Sequence, residues 1–219
     1  MFWNDDDETD SSDSDNEILD YVFQLKGKTL PQNYLDAFSQ ALQSNAHWWH
    51  SQDKLSFHII IAGEEGNGWF RDSDPGAVIY ISRRNMLVIR GPAVISEEIQ
   101  QLGGKEVDLE THQITLQHKH NKAIKPSPTL YSRYVVSEQV EETIFLQEMI
   151  EQLKKLNVVC KKLLCGKQRT LSINGKEYLT RSLMLEDLSK EDSLVIQVAG
   201  LGKHQKNGCG VFVPHKSIK

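Results

Sequence analysis

Apolar and polar residues alternate along residues 18–26, where Leu19, Tyr21, Phe23 and Leu25 fall two apart, and this pattern predicts a strand with one face on a core. After Pro31 the period changes. Tyr34, Leu35, Phe38, Ala41 and Leu42 make one stripe at helical spacing, so a helix follows whose first turn accommodates the proline. Alternation returns over residues 55–61, 77–81 and 86–90, while the glycine- and acid-rich residues 63–76 read as loop. Residues 96–102 can form a short helix ended by Gly103-Gly104, and residues 106–109 and 113–117 alternate again.

The second half repeats the order. Residues 130–136 read as a strand, and Ser137 can cap a helix on which Val140, Ile144, Phe145, Met149, Leu153 and Leu156 keep helical spacing. Asn174-Gly175, between apolar runs 162–173 and 176–185, is a strong hairpin signal. Ser189 with Asp192 resembles a capping box, and residues 209–213 close the pattern as a strand. Two β-α-β-β-α-β units in tandem predict an α+β fold of two ferredoxin-like (RRM-like) domains, residues 18–119 and 129–219, joined by a polar, proline-bearing linker at 120–128.

Charge adds direction. The net charge of -5 is concentrated in an acidic segment, residues 1–17, whose composition cannot bury apolar surface and predicts a disordered tail. Residues 154–219 hold 13 Lys or Arg against five acids, a net of +8, so a negatively charged partner is expected on the C-terminal third. No apolar run is long enough to cross a membrane, and the acidic start is unlike a signal peptide, so a cytoplasmic chain is expected. Three cysteines fit a reducing compartment. The spacing of Cys160, Cys165, His204 and Cys209 is unlike the tight zinc pairs, so no metal site is expected.

Residues 200–214, GLGKHQKNGCGVFVP, offer one more candidate chemistry. Gly200, Gly202, Gly208 and Gly210 would let phosphates approach backbone N–H groups, and Lys203, His204 and Lys206 add positive charge. The stretch matches neither G-x-G-x-x-G nor a P-loop, and it runs from helix to strand rather than strand to helix, which favours a polynucleotide over a mononucleotide. A turn that merely reverses the chain is the alternative. The aromatic RNP signature of RNA-binding sheets is absent.

Several motifs in this order resemble a known family: LKGKTLP from Leu25, WWH from Trp48, FHII from Phe57, ISRRNMLVIRGPA from Ile81, PSPTLYSRYV from Pro126, LSINGKEY from Leu171 and the terminal glycine loop. Together they resemble the CRISPR repeat-processing endoribonucleases, the sixth Cas protein family, and more narrowly their MYXAN-type branch. The acidic segment has no counterpart there. The resemblance implies an enzyme that binds CRISPR repeat RNA and cuts the precursor transcript within each repeat. It does so without metal or cofactor, by attack of a 2′-hydroxyl that leaves a 2′,3′-cyclic phosphate and a 5′-hydroxyl. Other Cas effector-complex subunits are implied partners.

Such chemistry needs a proton acceptor and donor near neutrality and cations for the phosphorus. Of the eight histidines, His50 matches the branch's W-x-H position and is the expected catalytic residue, with His47 beside it. His58 also matches a branch histidine, and a hydrogen-bonded place in the sheet is an equal reading for it. Arg83 and Arg84, next to a strand, are expected to face opposite ways, with at least one in the cleft between the units. Lys167, Arg169 and Lys176 could grip RNA phosphates from the second-half hairpin, or be an ordinary charged surface. A catalytically inactive guide-RNA-binding subunit fits the same fold and charge. A purely protein-binding scaffold does not use the +8 region.

Overall fold

The computed structural model describes residues 17–61, 78–139 and 141–215. The acidic segment, the loop at 63–76 and Val140 lie outside the described residues, apart from Glu17. The first unit runs β1 (Ile18–Lys26), β2 (Thr29–Leu30), α1 (Tyr34–Asn45), β3 (Ser56–Ile60), β4 (Ile79–Tyr80), β5 (Met86–Pro92), α2 (Ser96–Gln100), β6 (Glu106–Leu109) and β7 (His112–Ala123). Its main sheet is antiparallel, in the order β3-β5-β1-β7-β6. Strand β1 is central and buried on both faces. Tyr21, Phe23 and Leu25 join the stripe of α1 in the core, while Asp20 and Val22 point the other way and are buried as well.

The second unit runs β8 (Leu130–Val136), α3 (Glu142–Lys155), β9 (Lys162–Ile173), β10 (Lys176–Glu186), α4 (Lys190–Ala199) and β11 (Val213–Pro214), with sheet order β11-β8-β10-β9. Phe145, Met149 and Leu153 of α3 pack with Leu183, Leu185 and Ile196 as its core. Each unit thus has the ferredoxin-like order. Asn174 and Gly175 both take positive φ, 51° and 73°, the backbone twist a two-residue hairpin requires. Ser189 caps α4 by accepting from the Asp192 N–H at 3.0 Å.

Four expectations are corrected. Strand β7 does not stop at residue 117: Asn121, Lys122 and Ala123 pair with Tyr21, Asp20 and Leu19, so residues assigned to the 120–128 linker belong to the first sheet. Backbone pairing holds this end of β7 with few apolar side chains, so no hydrophobic period marks it. Helix α1 begins at Tyr34, three residues after Pro31. Ser137 does not cap α3, which starts at Glu142; its hydroxyl donates to Glu148 Oε2 at 2.6 Å and accepts from the Gln139 N–H. The last strand is only Val213–Pro214, although Cys209 and Phe212 are fully buried.

A buried cation ties the two units together. Arg90 of β5 is ion-paired with Asp20 of β1 at 2.8 Å, and its remaining donors reach the carbonyls of Gln197 (2.8 Å) and Phe212 (2.9 Å) in the second unit. Both side chains are almost fully enclosed, 2% and 7% exposed. An arginine fork suits this role because its donors are rigid and it stays charged.

Candidate functional site

Helix α1 ends at Asn45, and residues His47–Trp49 add a single 3-10 turn before the chain enters β3. Trp49 is completely buried against Phe57, and Trp48 packs on the same core, so the tryptophan pair is an anchor rather than a free stacking surface. The anchor leaves His47 and His50 exposed on either side of it. This is a compact way to hold two imidazoles in solvent on a rigid turn.

The glycine loop, distant in sequence, lies directly against this turn. Lys206 Nζ donates to the His50 carbonyl at 3.1 Å, the Lys206 carbonyl accepts from the buried Ser39 hydroxyl of α1, and Asn207 Nδ2 donates to Ser39 Oγ at 2.6 Å. The tip of the β9–β10 hairpin docks on the start of the same helix, with the Asn174 N–H donating to Asp36 Oδ1 at 2.9 Å. His50, His47 and Lys206 are therefore brought to one edge of the molecule, with Lys203, His204 and Lys176 nearby on the loop and β10.

The phosphate-cradle reading of the glycines is corrected. The N–H groups of Gly200, Gly202, Gly208 and Gly210 are donated inside the protein, to Ile196 O, Gln152 Oε1, Gln205 O and Tyr134 O respectively. Gly208 has φ +79°, and a Cβ there would come 2.7 Å from Leu35 Cδ2 and 3.2 Å from the Phe57 ring. Gly210 has φ +62°, and its Cβ would run into the Leu201 carbonyl. Gly208 lets the loop close on the first unit, while Gly210 lets it fold back on Leu201, and what the loop offers a ligand is its side chains. Gly210→Ala should accordingly lower stability by at least about 1 kcal/mol, with RNA affinity falling only in step. Melting and filter binding on one preparation check this; lost affinity at an unchanged melting temperature would restore the cradle.

His58 sits on β3, paired with Val88, on the sheet face that carries Arg90. The residue is half-buried, yet Nδ1 is enclosed and has no hydrogen-bond partner. Burial, with the Arg90 charge adding to it, pushes its pKa down to about 3. A ring of this kind is neutral at neutral pH, a poor proton donor and a weak base, which favours the reading of His58 as a residue of the sheet. The sign for stability follows: the unfolded chain binds the proton below about 6.5 and the folded chain does not until about 3, so stability falls as pH drops through that window. By pH 5 the loss attributable to His58 is about 2 kcal/mol. His58→Gln should remove that part of the acid sensitivity in urea titrations at pH 7 and 5; equal losses in both proteins would contradict it.

Arg83 and Arg84 correct another expectation. They sit in a turn rather than a strand, with the Asn85 N–H donating to Ser82 O and the Ser82 hydroxyl to Asn85 Oδ1, so strand alternation does not apply. Arg83 lines a groove of about 580 Å³ with Lys26 and Lys119, built entirely from the first unit and not from the cleft between units. Arg84 is exposed beside it. Lys167, Arg169 and Lys176 are exposed along the hairpin, and Lys176 lies over the Tyr178 ring, 5.1 Å from its centroid. The sequence reading missed Lys26 and Lys119, whose proximity to Arg83 depends on pairing across β1 and β7, and Tyr178.

Among the described residues no group of three His, Cys, Asp or Glu side chains is placed to hold a metal ion. Cys160 and Cys165 are half-buried, and burial pushes the Cys209 thiol up to about 12. No helix among the described residues is long and apolar enough to cross a membrane.

A family model described as "Cas6 Crispr" matches residues 19–217. The chain is 24% identical over 198 residues to a protein of Myxococcus xanthus named "CRISPR-associated endonuclease Cas6", an alignment covering 90% of this chain and 81% of that one. Among solved structures it resembles one titled "CRISPR associated protein Cas6" (TM-score 0.58, 10% identity, 91% and 99% of the two chains). A Cas6-related protein from Pyrococcus furiosus gives 0.56 at 14% identity over 90% and 97%. A protein titled "An RAMP protein binding different RNA substrates" gives 0.54 at 12% identity over 90% and 98%. These likenesses bear on the tandem ferredoxin-like fold.

Proposed function

This chain belongs to the Cas6 family, and on that premise we propose that it is an endoribonuclease that processes CRISPR repeat RNA. The observation that carries the reading is the meeting of exposed His50 with the Lys206 side chain of the glycine loop across 156 residues of sequence. In the proposed reaction the 2′-hydroxyl next to the scissile phosphate loses its proton to a base and its oxygen bonds to phosphorus. The bond from phosphorus to the 5′-oxygen breaks as that oxygen takes a proton, giving a 2′,3′-cyclic phosphate and a 5′-hydroxyl. In this reading the His50 imidazole carries a proton step, with His47 the alternative, and the ammonium of Lys206 meets the charge that builds on the phosphate oxygens.

Lys203, Lys176, Lys167, Arg169 and, across the first sheet, Arg83 and Arg84 supply phosphate contacts in this reading. The mature guide RNA and other Cas subunits are its partners, in a prokaryotic cytoplasm. Each phosphate contact removed should flatten the logarithmic salt dependence of binding by about 0.7 to 0.9, so Lys203→Ala with Lys206→Ala should lower the slope measurably. The reaction needs no metal in this reading. Labelled repeat RNA incubated with the protein in EDTA should be cut to a product ending in a cyclic phosphate; cleavage that stops in EDTA would overturn the metal-free step.

A further inference from the structure

A cleft of about 280 Å³ opens behind the glycine loop, between β10 and the residues that follow β8. Its walls are chemically unlike those of the basic groove at Arg83. Tyr178 and His204 bring their rings together at 4.5 Å between centroids, tilted by 59°. Lys176 and Lys203 line it too, the latter reaching Glu138 Oε1 at 3.2 Å, with both partners largely exposed. Ser137 and the half-buried carboxylate of Glu148 also line it, Glu148 being oriented by donors from the Ser137 hydroxyl (2.6 Å) and Gln152 Nε2 (3.2 Å).

His204 is the telling residue. The loop's four glycines all have positive φ, yet a fifth left-handed position, φ 69°, is occupied by a histidine. A side chain at such a position costs backbone energy that glycine would avoid, and such outliers gather at ligand clamps. Here the ring is delivered against Tyr178 at the wall of the cleft.

We infer that this cleft holds one unpaired guanine of the bound RNA. The inference rests on the reading that RNA is the partner. Aromatic rings accept a base by stacking, whatever its identity. Selection comes from Glu148: each carboxylate oxygen keeps a free lone pair beside the one already used, and guanine's edge presents two adjacent N–H donors to such a pair. Lys176 and Lys203 meet the flanking phosphates. The volume accommodates a single base.

Fluorescence anisotropy with end-labelled heptauridylate and its variants carrying a central G, A or C tests this on the full chain. The central-G oligonucleotide should bind about tenfold tighter than heptauridylate, the scale of one bidentate base contact. His204→Gly should remove most of that gain while the melting temperature holds or rises, since glycine accepts the left-handed backbone. Glu148→Gln keeps hydrogen bonds to Ser137 and Gln152 available and should cut the preference for G over A severalfold. Equal binding of all four oligonucleotides by the wild type, or an undiminished G preference in His204→Gly, would overturn the pocket. Repeat-RNA cleavage measured on the same preparations separates the two readings: cleavage without a base preference defeats only the pocket, and a base preference without cleavage defeats only the nuclease.

Discussion

His50→Ala should reduce repeat-RNA cleavage by about 100- to 10,000-fold, the range for losing one general acid or base, while RNA affinity stays within a few-fold. The side chain is exposed, and the turn that carries it is held by Trp49, by Lys206 and by the hydroxyl and N–H of Ser51, all of which meet backbone or core rather than the imidazole. Truncation should therefore leave the fold intact. Single-turnover rates with excess protein measure the chemical step without product release. Normal cleavage by His50→Ala together with loss in His47→Ala would move the role three residues back and leave the mechanism standing. Retained cleavage in both single variants and in the double variant would remove these histidines from the reaction. A wild type that binds repeat RNA tightly and never cuts it would be a guide-RNA-holding subunit on the same fold.

Arg90→Met should cost about 3 to 5 kcal/mol of stability, the range for removing one partner of a buried ion pair. The substitution keeps apolar bulk but leaves the Asp20 carboxylate, 7% exposed, without its cation, and strips the donor from the Gln197 and Phe212 carbonyls. Against a total of about 5–15 kcal/mol for a folded protein, that is a large share. Adding Asp20→Asn should recover part of it by removing the uncompensated charge. Because Gln197 and Phe212 flank the glycine loop on both sides, cleavage should also fall, even at temperatures where Arg90→Met is folded. Urea denaturation gives the first number, and a loss below about 1 kcal/mol would show the pair behaving like a surface contact.

Local rules carried much of the architecture. The period-two run in β1, the helical stripe of α1, the Asn174-Gly175 turn and the Ser189 cap each depend on side chains close in sequence, and each stands where the alternation predicted. The duplicated β-α-β-β-α-β order follows from them, and the motifs from Leu25 to Pro214 pointed to the family to which the chain belongs. The end of β7 was illegible because hydrogen bonds to β1, rather than apolar burial, hold it. A side chain's environment was illegible wherever it is made by the other unit. His58 and His50 are both histidines near the first helix, and only packing shows that one ring is enclosed near Arg90 while the other is exposed beside Lys206. The glycines read as open to phosphate, but their N–H groups are taken, and a Cβ at Gly208 or Gly210 would meet Leu35 and Phe57 or Leu201. Nothing in the sequence marked Arg90 as the buried cation, because its partners lie 70, 107 and 122 residues away. Sequence determines local conformation through neighbours a few residues apart, whereas pKa, hydrogen-bond satisfaction and exposure depend on atoms that only the packing of one unit on the other brings within a few ångströms.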